Sequence, residues 1–261
     1  MNRKKRILGR VYTPKSRYER NDPIEINVNC RKKDTQPETT IELNIFKRDE
    51  IVHQEKEAIR FKASSEKTKT LTWIPKKEGG YVVQIKAEGE KKCIGIDVSE
   101  SWKKYPRYGF ISHYPQNEEK EESQKKIAKL AEDYNINVLQ FYDWMWRHEN
   151  FIKRTSGQIE NTWTDWDNYQ ISWNTIKDSI QAAHDSNTAA LPYVQIYGAL
   201  ENFNSVSGVN REWGIYNDSN GDNQVRLDLG ENQYMYLFDS SNVPWQDHMY
   251  DQIKEALLSA D

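Results

Sequence analysis

The chain has 261 residues, of which 36% are hydrophobic and 12% aromatic, and it carries a net charge of −3. This length allows one large domain or two ordinary ones, and the aromatic content is too high for a disordered chain. The apolar runs are far shorter than the roughly 18 to 20 residues of a membrane helix, and two cysteines form neither a disulfide framework nor a four-thiolate zinc site. We therefore expect a folded protein with no membrane, metal or cofactor partner.

Charged and aromatic residues divide the chain near residue 100. Residues 1–100 contain 23 Lys and Arg against 16 Asp and Glu, whereas residues 101–261 contain 14 against 24, together with eight of the nine tryptophans. The basic residues of the first part are interleaved with acidic ones and lack aromatic platforms, so no nucleic-acid partner is expected. The division predicts one domain over residues 1–102 and a second over residues 107–261.

Short runs rich in Val, Ile, Thr and Tyr predict six or seven strands in the first hundred residues. In Ile24–Cys30 apolar and polar residues alternate without a break, as a half-buried strand requires. Turn signals separate the runs, and no helical periodicity lies between them, which predicts an antiparallel β-sandwich of immunoglobulin-like type. Whether Cys30 pairs with Cys93 is left open. The predicted strands are residues 6–14, 24–30, 40–47, 70–75, 81–87 and 93–98, and the turns include residues 21–23, 34–37 and 79–80.

Strand and helix patterns alternate in the second part. This order is typical of a parallel sheet covered by helices, with which both doubly wound sheets and (β/α)8 barrels begin. The residues from Asn202 to Gln233 form a long polar insertion after the third strand. The predicted strands are residues 108–114, 136–142 and 189–197, and the predicted helices are residues 118–134, 173–186 and 245–260.

Aromatic, acidic and imidazole side chains gather at the ends of these strands. Active sites of barrels lie at the carboxyl ends of the strands, so these side chains are candidates for one cleft. Aromatic faces stack on pyranose rings, and carboxylates accept hydrogen bonds from hydroxyls, which together favour a sugar ligand. The candidate substrate-binding residues are Asp143, Tyr142, Trp144, His148, His113 and Tyr197.

Two runs carry a family resemblance: Phe-Tyr-Asp-Trp-Met-Trp-Arg-His at 141–148 and Arg-Tyr-Gly-Phe-Ile-Ser-His-Tyr at 107–114. They resemble glycoside hydrolase family 66, which contains endo-dextranases and cycloisomaltooligosaccharide glucanotransferases; residues 193–199 and 237–242 resemble it too. The resemblance implies an extracellular enzyme with an immunoglobulin-like domain before a (β/α)8 barrel. It also implies retaining chemistry by two carboxylates on an α-1,6-glucan or isomaltooligosaccharide.

No position of this sequence matches either catalytic residue of that family, so no catalytic residue is assigned. A barrel takes about 250 residues, and far fewer follow the sandwich. We therefore expect the first part of a barrel, about three βα units, in an inactive N-terminal portion of an α-1,6-glucan hydrolase or glucanotransferase. The alternative is a non-catalytic glucan-binding protein. The basic residues 1–6 precede no hydrophobic region, so no signal peptide is visible; the oligomeric state is not predicted.

Several candidates have a second interpretation. Asp143 serves either as a ligand of sugar hydroxyls or as a loop carboxylate paired with Arg147 or His148. Trp144 stacks on glucose or packs under its loop, and His113 and His148 bind substrate or a neighbouring carboxylate. The acidic run 218–224 begins like a calcium loop but lacks the glycine and the glutamate that such a loop needs, so a polar turn is expected.

Overall fold

The structure, a computed structural model, describes residues 6–31, 38–61 and 66–260. The predicted turn at 34–37 and the basic residues 1–5 lie outside the described residues. The chain divides into two compact units, each assembled from separate segments. Unit 1 contains the residues up to Gly109, Glu121–Leu139 and Gln181–Ala190, and unit 2 contains Phe110–Lys120, Gln140–Ile180 and the residues from Leu191 onward. The boundary predicted between residues 102 and 107 remains a prediction.

Two β-sheets enclose the core of unit 1. One has the strand order β1-β3-β6 and the other β2-β8-β7-β4-β5. β3 buries every second residue, and these side chains join inward residues of β4 and β7 in one hydrophobic core. The apolar residues that alternate along this segment of the sequence therefore form the buried face of β3. The strands are β1 Leu8–Tyr12, β2 Arg17–Tyr18, β3 Ile24–Arg31, β4 Glu38–Lys47, β5 Glu50–Arg60, β6 Glu66–Trp73, β7 Gly79–Ala87 and β8 Glu90–Val98.

The two cysteines do not pair. Cys30 is buried in β3, Cys93 is exposed on β8, and both are free thiols. Burial raises the pKa of the Cys30 thiol to about 11, which leaves very little thiolate at neutral pH. We expect Ellman's reagent to label one thiol of the native chain quickly and the second only in denaturant. Cys93→Ser should remove the fast phase, and equal labelling rates for both thiols in the native chain would contradict the burial of Cys30.

A buried polar network ties later segments of unit 1 to its β-sheets. The side chain of Asn137 donates to Asp97 Oδ2 at 2.8 Å and accepts from the backbone N–H of Arg107 at 2.7 Å. Arg107 also donates to the carbonyl of Ser16 at 3.0 Å, and the hydroxyl of Ser16 lies 3.0 Å from that of Thr188. Burial raises the pKa of Asp97, although the charge of Arg107 opposes this shift. These bonds explain why unit 1 includes segments far along the chain.

A second set of elements follows residue 107. β9, β10 and β15 form a three-stranded sheet in the order β15-β10-β9. Val138 N donates to Arg107 O, and four residues later Tyr142 N donates to Ile111 O. Because the residue numbers increase in the same direction on both strands, β9 and β10 are parallel. The elements, in chain order, are β9 Tyr108–Ile111, α1 Lys120–Tyr134, β10 Val138–Phe141, β11 Arg154–Thr155, β12 Gln158–Ile159, β13 Thr162–Thr164, β14 Gln170–Ser172, α2 Trp173–Asp185 and β15 Ala189–Pro192.

Antiparallel pairs dominate the rest of unit 2. β11 pairs with β12, β13 pairs with β14, and a further sheet has the order β16-β18-β17. Much of the polar insertion predicted at 202–233 is therefore structured, and the run 218–224 forms a turn before β17. No helix of the described residues has both the length and the apolar character to cross a membrane. The last elements are β16 Gly198–Leu200, α3 Phe203–Val206, a 3-10 turn Arg211–Trp213, β17 Arg226–Gly230, β18 Gln233–Leu237 and α4 Val243–Ala260.

The predicted fold class is wrong. The described residues contain more β-strand than helix, with four α-helices, and they show no evident part of a (β/α)8 barrel. The predicted helices are present, but the segments after α1 and α2 place most of their strands in antiparallel pairs, which a repeated βα unit does not contain. The immunoglobulin-like type assigned to the first hundred residues is not confirmed either.

Candidate functional site

Asp143 lies in unit 2 directly beyond the end of β10. Its φ is +47°, a left-handed conformation that Asp adopts more readily than most residues. The preceding Tyr142 is fixed by its backbone: its N–H donates to Ile111 O at 2.8 Å, and its carbonyl accepts from the hydroxyl of Tyr114 at 3.2 Å. The tight turn therefore holds a half-buried carboxylate at a strand end.

The pKa of Asp143 is raised. Burial is the main cause, and the negative charges of Asp165 and Asp167 add to it. Asp165 is itself buried, and burial raises its pKa as well, although its carboxylate accepts the N–H groups of Asp167 and Tyr169 at 3.0 and 2.8 Å. Asp143 is therefore a partly buried acceptor, and no cation is among the causes of its pKa shift.

Tyr193 interacts with Tyr142, Tyr197 and Asp143, and we call these four residues the Asp143 cluster. The ring centroids of Tyr142 and Tyr193 are 4.4 Å apart at an angle of 40°. Burial raises the pKa of Tyr193, and electrostatic interactions with Tyr142, Tyr197 and Asp143 raise it further. Tyr142 and Tyr197 are 38% and 46% exposed. The structure thus brings three of the predicted residues together around Tyr193.

Trp144 and His148 point into the interior of unit 2. Trp144 is 3% exposed, and its indole N–H donates to Tyr193 O at 2.9 Å. His148 is 6% exposed, and burial together with the charge of Arg147 lowers its pKa to about 4. Its Nδ1 lies 3.3 Å from the sulfur of Met235. Their sugar-binding roles stay predictions, and this geometry favours packing.

His113 is not one of the residues of the Asp143 cluster. It is exposed and lines a cleft of about 340 Å³ whose other wall includes Tyr169 and Gln170. Within the described part of the chain, its imidazole has no hydrogen bond or ion pair. His113 therefore belongs to a neighbouring feature of unit 2.

Residues that the sequence reasoning missed complete the site. Tyr193 follows Pro192, the last residue of β15. Because proline lacks a backbone N–H, Pro192 could have predicted this strand end from the sequence. Asp165 begins a turn rich in Asp and Asn, another readable signal. Glu149, fully buried beside Arg147, had no local signal, because its burial depends on distant segments. Among the described residues, no group of three or more His, Cys, Asp or Glu side chains could hold a metal ion.

Known proteins resemble nearly the whole chain. The family model described as Glycosyl hydrolase family 66 matches residues 13–261. A cycloisomaltooligosaccharide glucanotransferase from Niallia circulans is 40% identical over 98% of this chain, and a dextranase from Streptococcus salivarius is 23% identical over 84%. The chain covers 27% and 29% of the lengths of these two proteins.

A solved structure agrees with these matches. It is a crystal structure of a cycloisomaltooligosaccharide glucanotransferase from Paenibacillus sp. complexed with cycloisomaltoheptaose, with 41% identity and a TM-score of 0.88. The alignment covers 97% of this chain and 37% of that chain. The chain belongs to glycosyl hydrolase family 66.

Proposed function

We propose that this chain contributes a glucan-binding surface to a protein that acts on α-1,6-linked glucan outside the cell, and that the Asp143 cluster forms this surface. The observation that carries the proposal is that Tyr193 brings together two further tyrosines, both partly exposed, and one half-buried carboxylate. Support for the ligand comes from the relatives, which are named for dextran and cyclic isomaltooligosaccharides.

The cluster has the chemistry that a glucosyl unit requires. The exposed parts of Tyr142 and Tyr197 offer aromatic faces for the C–H surface of a pyranose ring. Asp143 accepts hydrogen bonds from sugar hydroxyls, and its partial burial strengthens such bonds because water competes less. Ligand binding would also give this carboxylate the donors that its surroundings do not provide.

We further propose that the 261-residue polypeptide binds glucan without cleaving it. Retaining hydrolysis uses two carboxyl groups about 5 to 5.5 Å apart, one as nucleophile and one as acid/base. We assign neither role to a residue of this chain.

Asp143→Asn tests the binding surface. Asparagine keeps the left-handed backbone but loses the charged acceptor, so we expect affinity for isomaltotriose, measured by titration calorimetry, to fall about tenfold or more. At neutral pH the variant should also unfold at a higher temperature, because the raised pKa means that ionised Asp143 destabilises the folded state. This gain should disappear in acid, where the wild-type carboxyl is neutral in both states.

Asp251→Asn, at an exposed position of α4, is the matched control and should change neither affinity nor stability. Equal loss of affinity in both variants would contradict a role for Asp143. Release of reducing sugar from dextran by the purified wild-type chain, in a preparation shown to be free of other glucanases, would overturn the proposal that it binds without cleavage.

A further inference from the structure

A second concave feature of unit 2 adjoins the Asp143 cluster without belonging to it. It is the cleft of about 340 Å³ between residues 112–117 and residues 169–171, which we call the His113 cleft. Its volume lies at the lower end of the range of roughly 300 to 1,000 Å³ found for small-molecule sites. The cleft therefore suits a ligand of about the size of one sugar ring.

Hydrogen bonds fix the two walls of the His113 cleft against each other. Ser172 N donates to Tyr114 O at 2.8 Å, and the hydroxyl of Thr175 donates to Pro115 O at 2.8 Å. Across the cleft, the side-chain amide of Gln116 donates to Gln170 Oε1 at 2.9 Å. A ligand would meet a preformed site and would not have to order its walls on binding.

Tyr169 stands on one wall as an exposed aromatic face. Its side chain is 61% exposed, yet its backbone is held on both sides. Its N–H donates to the carboxylate of Asp165 at 2.8 Å, and its carbonyl accepts the N–H of Asp165 at 3.0 Å. A large exposed ring on a fixed backbone is the arrangement that stacking against a sugar needs.

The side chains that line the His113 cleft favour an uncharged, hydroxyl-rich ligand. They supply an imidazole, amides and hydroxyls, and no carboxylate, lysine or arginine lines the described walls of the cleft. Such a lining neither neutralises nor repels a charge, but it can donate to and accept from many hydroxyl groups. A phosphate or an acidic peptide would find no cation there.

The cleft and the Asp143 cluster share supporting residues. Tyr114 lines the cleft, and its hydroxyl donates to the carbonyl of Tyr142. Asp165 holds Tyr169 and lies close enough to Asp143 for their charges to interact. One oligosaccharide could therefore contact both features.

We propose that the His113 cleft is a further glucosyl subsite, in which a sugar ring stacks on Tyr169 and forms hydrogen bonds with His113 and Gln116. This inference rests on the proposed function, because it extends the same glucan chain beyond the Asp143 cluster. A short sugar that fills the Asp143 cluster does not reach this subsite, so only longer isomaltooligosaccharides place a glucosyl unit in it.

The test is calorimetric titration of the 261-residue chain with isomaltose and with isomaltotetraose. Tyr169→Ala should weaken isomaltotetraose binding by about twofold to tenfold and leave isomaltose binding unchanged. Tyr134→Ala is the matched control, because Tyr134 on α1 is 63% exposed and lies in unit 1. In parallel, the imidazole NMR signals of His113 should shift with isomaltotetraose in wild-type protein.

The two proposals fail in different ways. If wild-type binding depends on Asp143 but Tyr169→Ala binds isomaltotetraose as tightly as wild type, with no shift of the His113 signals, the subsite is overturned and the Asp143 surface stands. If Tyr134→Ala weakens binding as much as Tyr169→Ala, the subsite is overturned as well. If wild-type protein binds neither sugar, both proposals fall.

Discussion

Replacing Glu149 with glutamine is expected to lower the free energy of unfolding by about 3 to 5 kcal/mol. Glu149 is fully buried and forms an ion pair with Arg147, whose side chain is 14% exposed. Its Oε1 also accepts the hydroxyl of Ser207 at 2.9 Å, and its Oε2 accepts the N–H of Leu200 at 3.1 Å. Glutamine is nearly isosteric, but it leaves the guanidinium without a counter-charge and turns one acceptor into a donor that faces other donors.

Denaturation followed by tryptophan fluorescence measures this effect well, since seven of the nine tryptophans lie in unit 2. The double variant Arg147→Met with Glu149→Leu should recover only part of the lost stability, because it removes the unpaired guanidinium but leaves the N–H of Leu200 and the hydroxyl of Ser207 without their acceptor. A loss below about 1 kcal/mol for Glu149→Gln would contradict the assignment and would match an exposed pair instead.

Glu149 also connects stability to the proposed surface. Leu200 and Ser207 lie on the segment that follows Tyr197, and Arg147 donates to the carbonyl of Glu201 at 2.5 Å. Loss of these bonds leaves that segment held mainly by the pairing of β16 with β18. We therefore expect Glu149→Gln to weaken glucan binding even under conditions in which the variant stays folded.

Local patterns predicted individual elements well. The alternation over Ile24–Cys30 corresponds to β3, and the helices predicted at 118–134, 173–186 and 245–260 appear as α1, α2 and α4 with ends shifted by a few residues. Both periodicities are properties of a single segment, so the sequence alone reveals them. β5 was missed because it is an edge strand with mostly exposed side chains, so its residues show little apolar alternation.

Pairing between distant segments was not predictable in the same way. Gly198 pairs with Leu237 in the sheet that contains β16 and β18, although a long polar stretch separates them. A polar run that contributes strands to a small antiparallel sheet looks like a loop in sequence. The prediction of a barrel from three βα units was wrong for the same reason. Which strands pair depends on tertiary structure, and local sequence patterns do not reveal it.

The candidate site shows a related limit. The sequence places Tyr142, Asp143 and Trp144 in succession, and an extended strand would alternate their directions. The left-handed turn at Asp143 ends that alternation, and the indole of Trp144 packs into unit 2. Tyr193 joins the cluster from a separate strand end, which residue order alone does not reveal.

Trp163→Ala is expected to destabilise the protein by about 3 to 5 kcal/mol, because it removes a large, fully packed ring from a buried aromatic group. Trp163 is 2% exposed, and its ring centroid lies 5.9 Å from that of Trp173. Trp173 in turn lies 6.3 Å from Trp144, the residue that follows Asp143. The indole N–H of Trp163 donates to Trp144 O at 3.2 Å, so the substitution also leaves that buried carbonyl without this donor.

Trp163→Phe separates packing from hydrogen bonding. Phenylalanine retains much of the buried area but lacks the N–H, so a smaller loss of about 1 to 3 kcal/mol is expected in the same denaturation experiment. Tyr250→Ala, at a position on α4 that is 65% exposed, should change stability by no more than about 0.5 kcal/mol. If Trp163→Ala behaves like Tyr250→Ala, the indoles do not support the turn at Asp143. The full loss would show that the buried indoles next to Asp143 in the chain stabilise the fold.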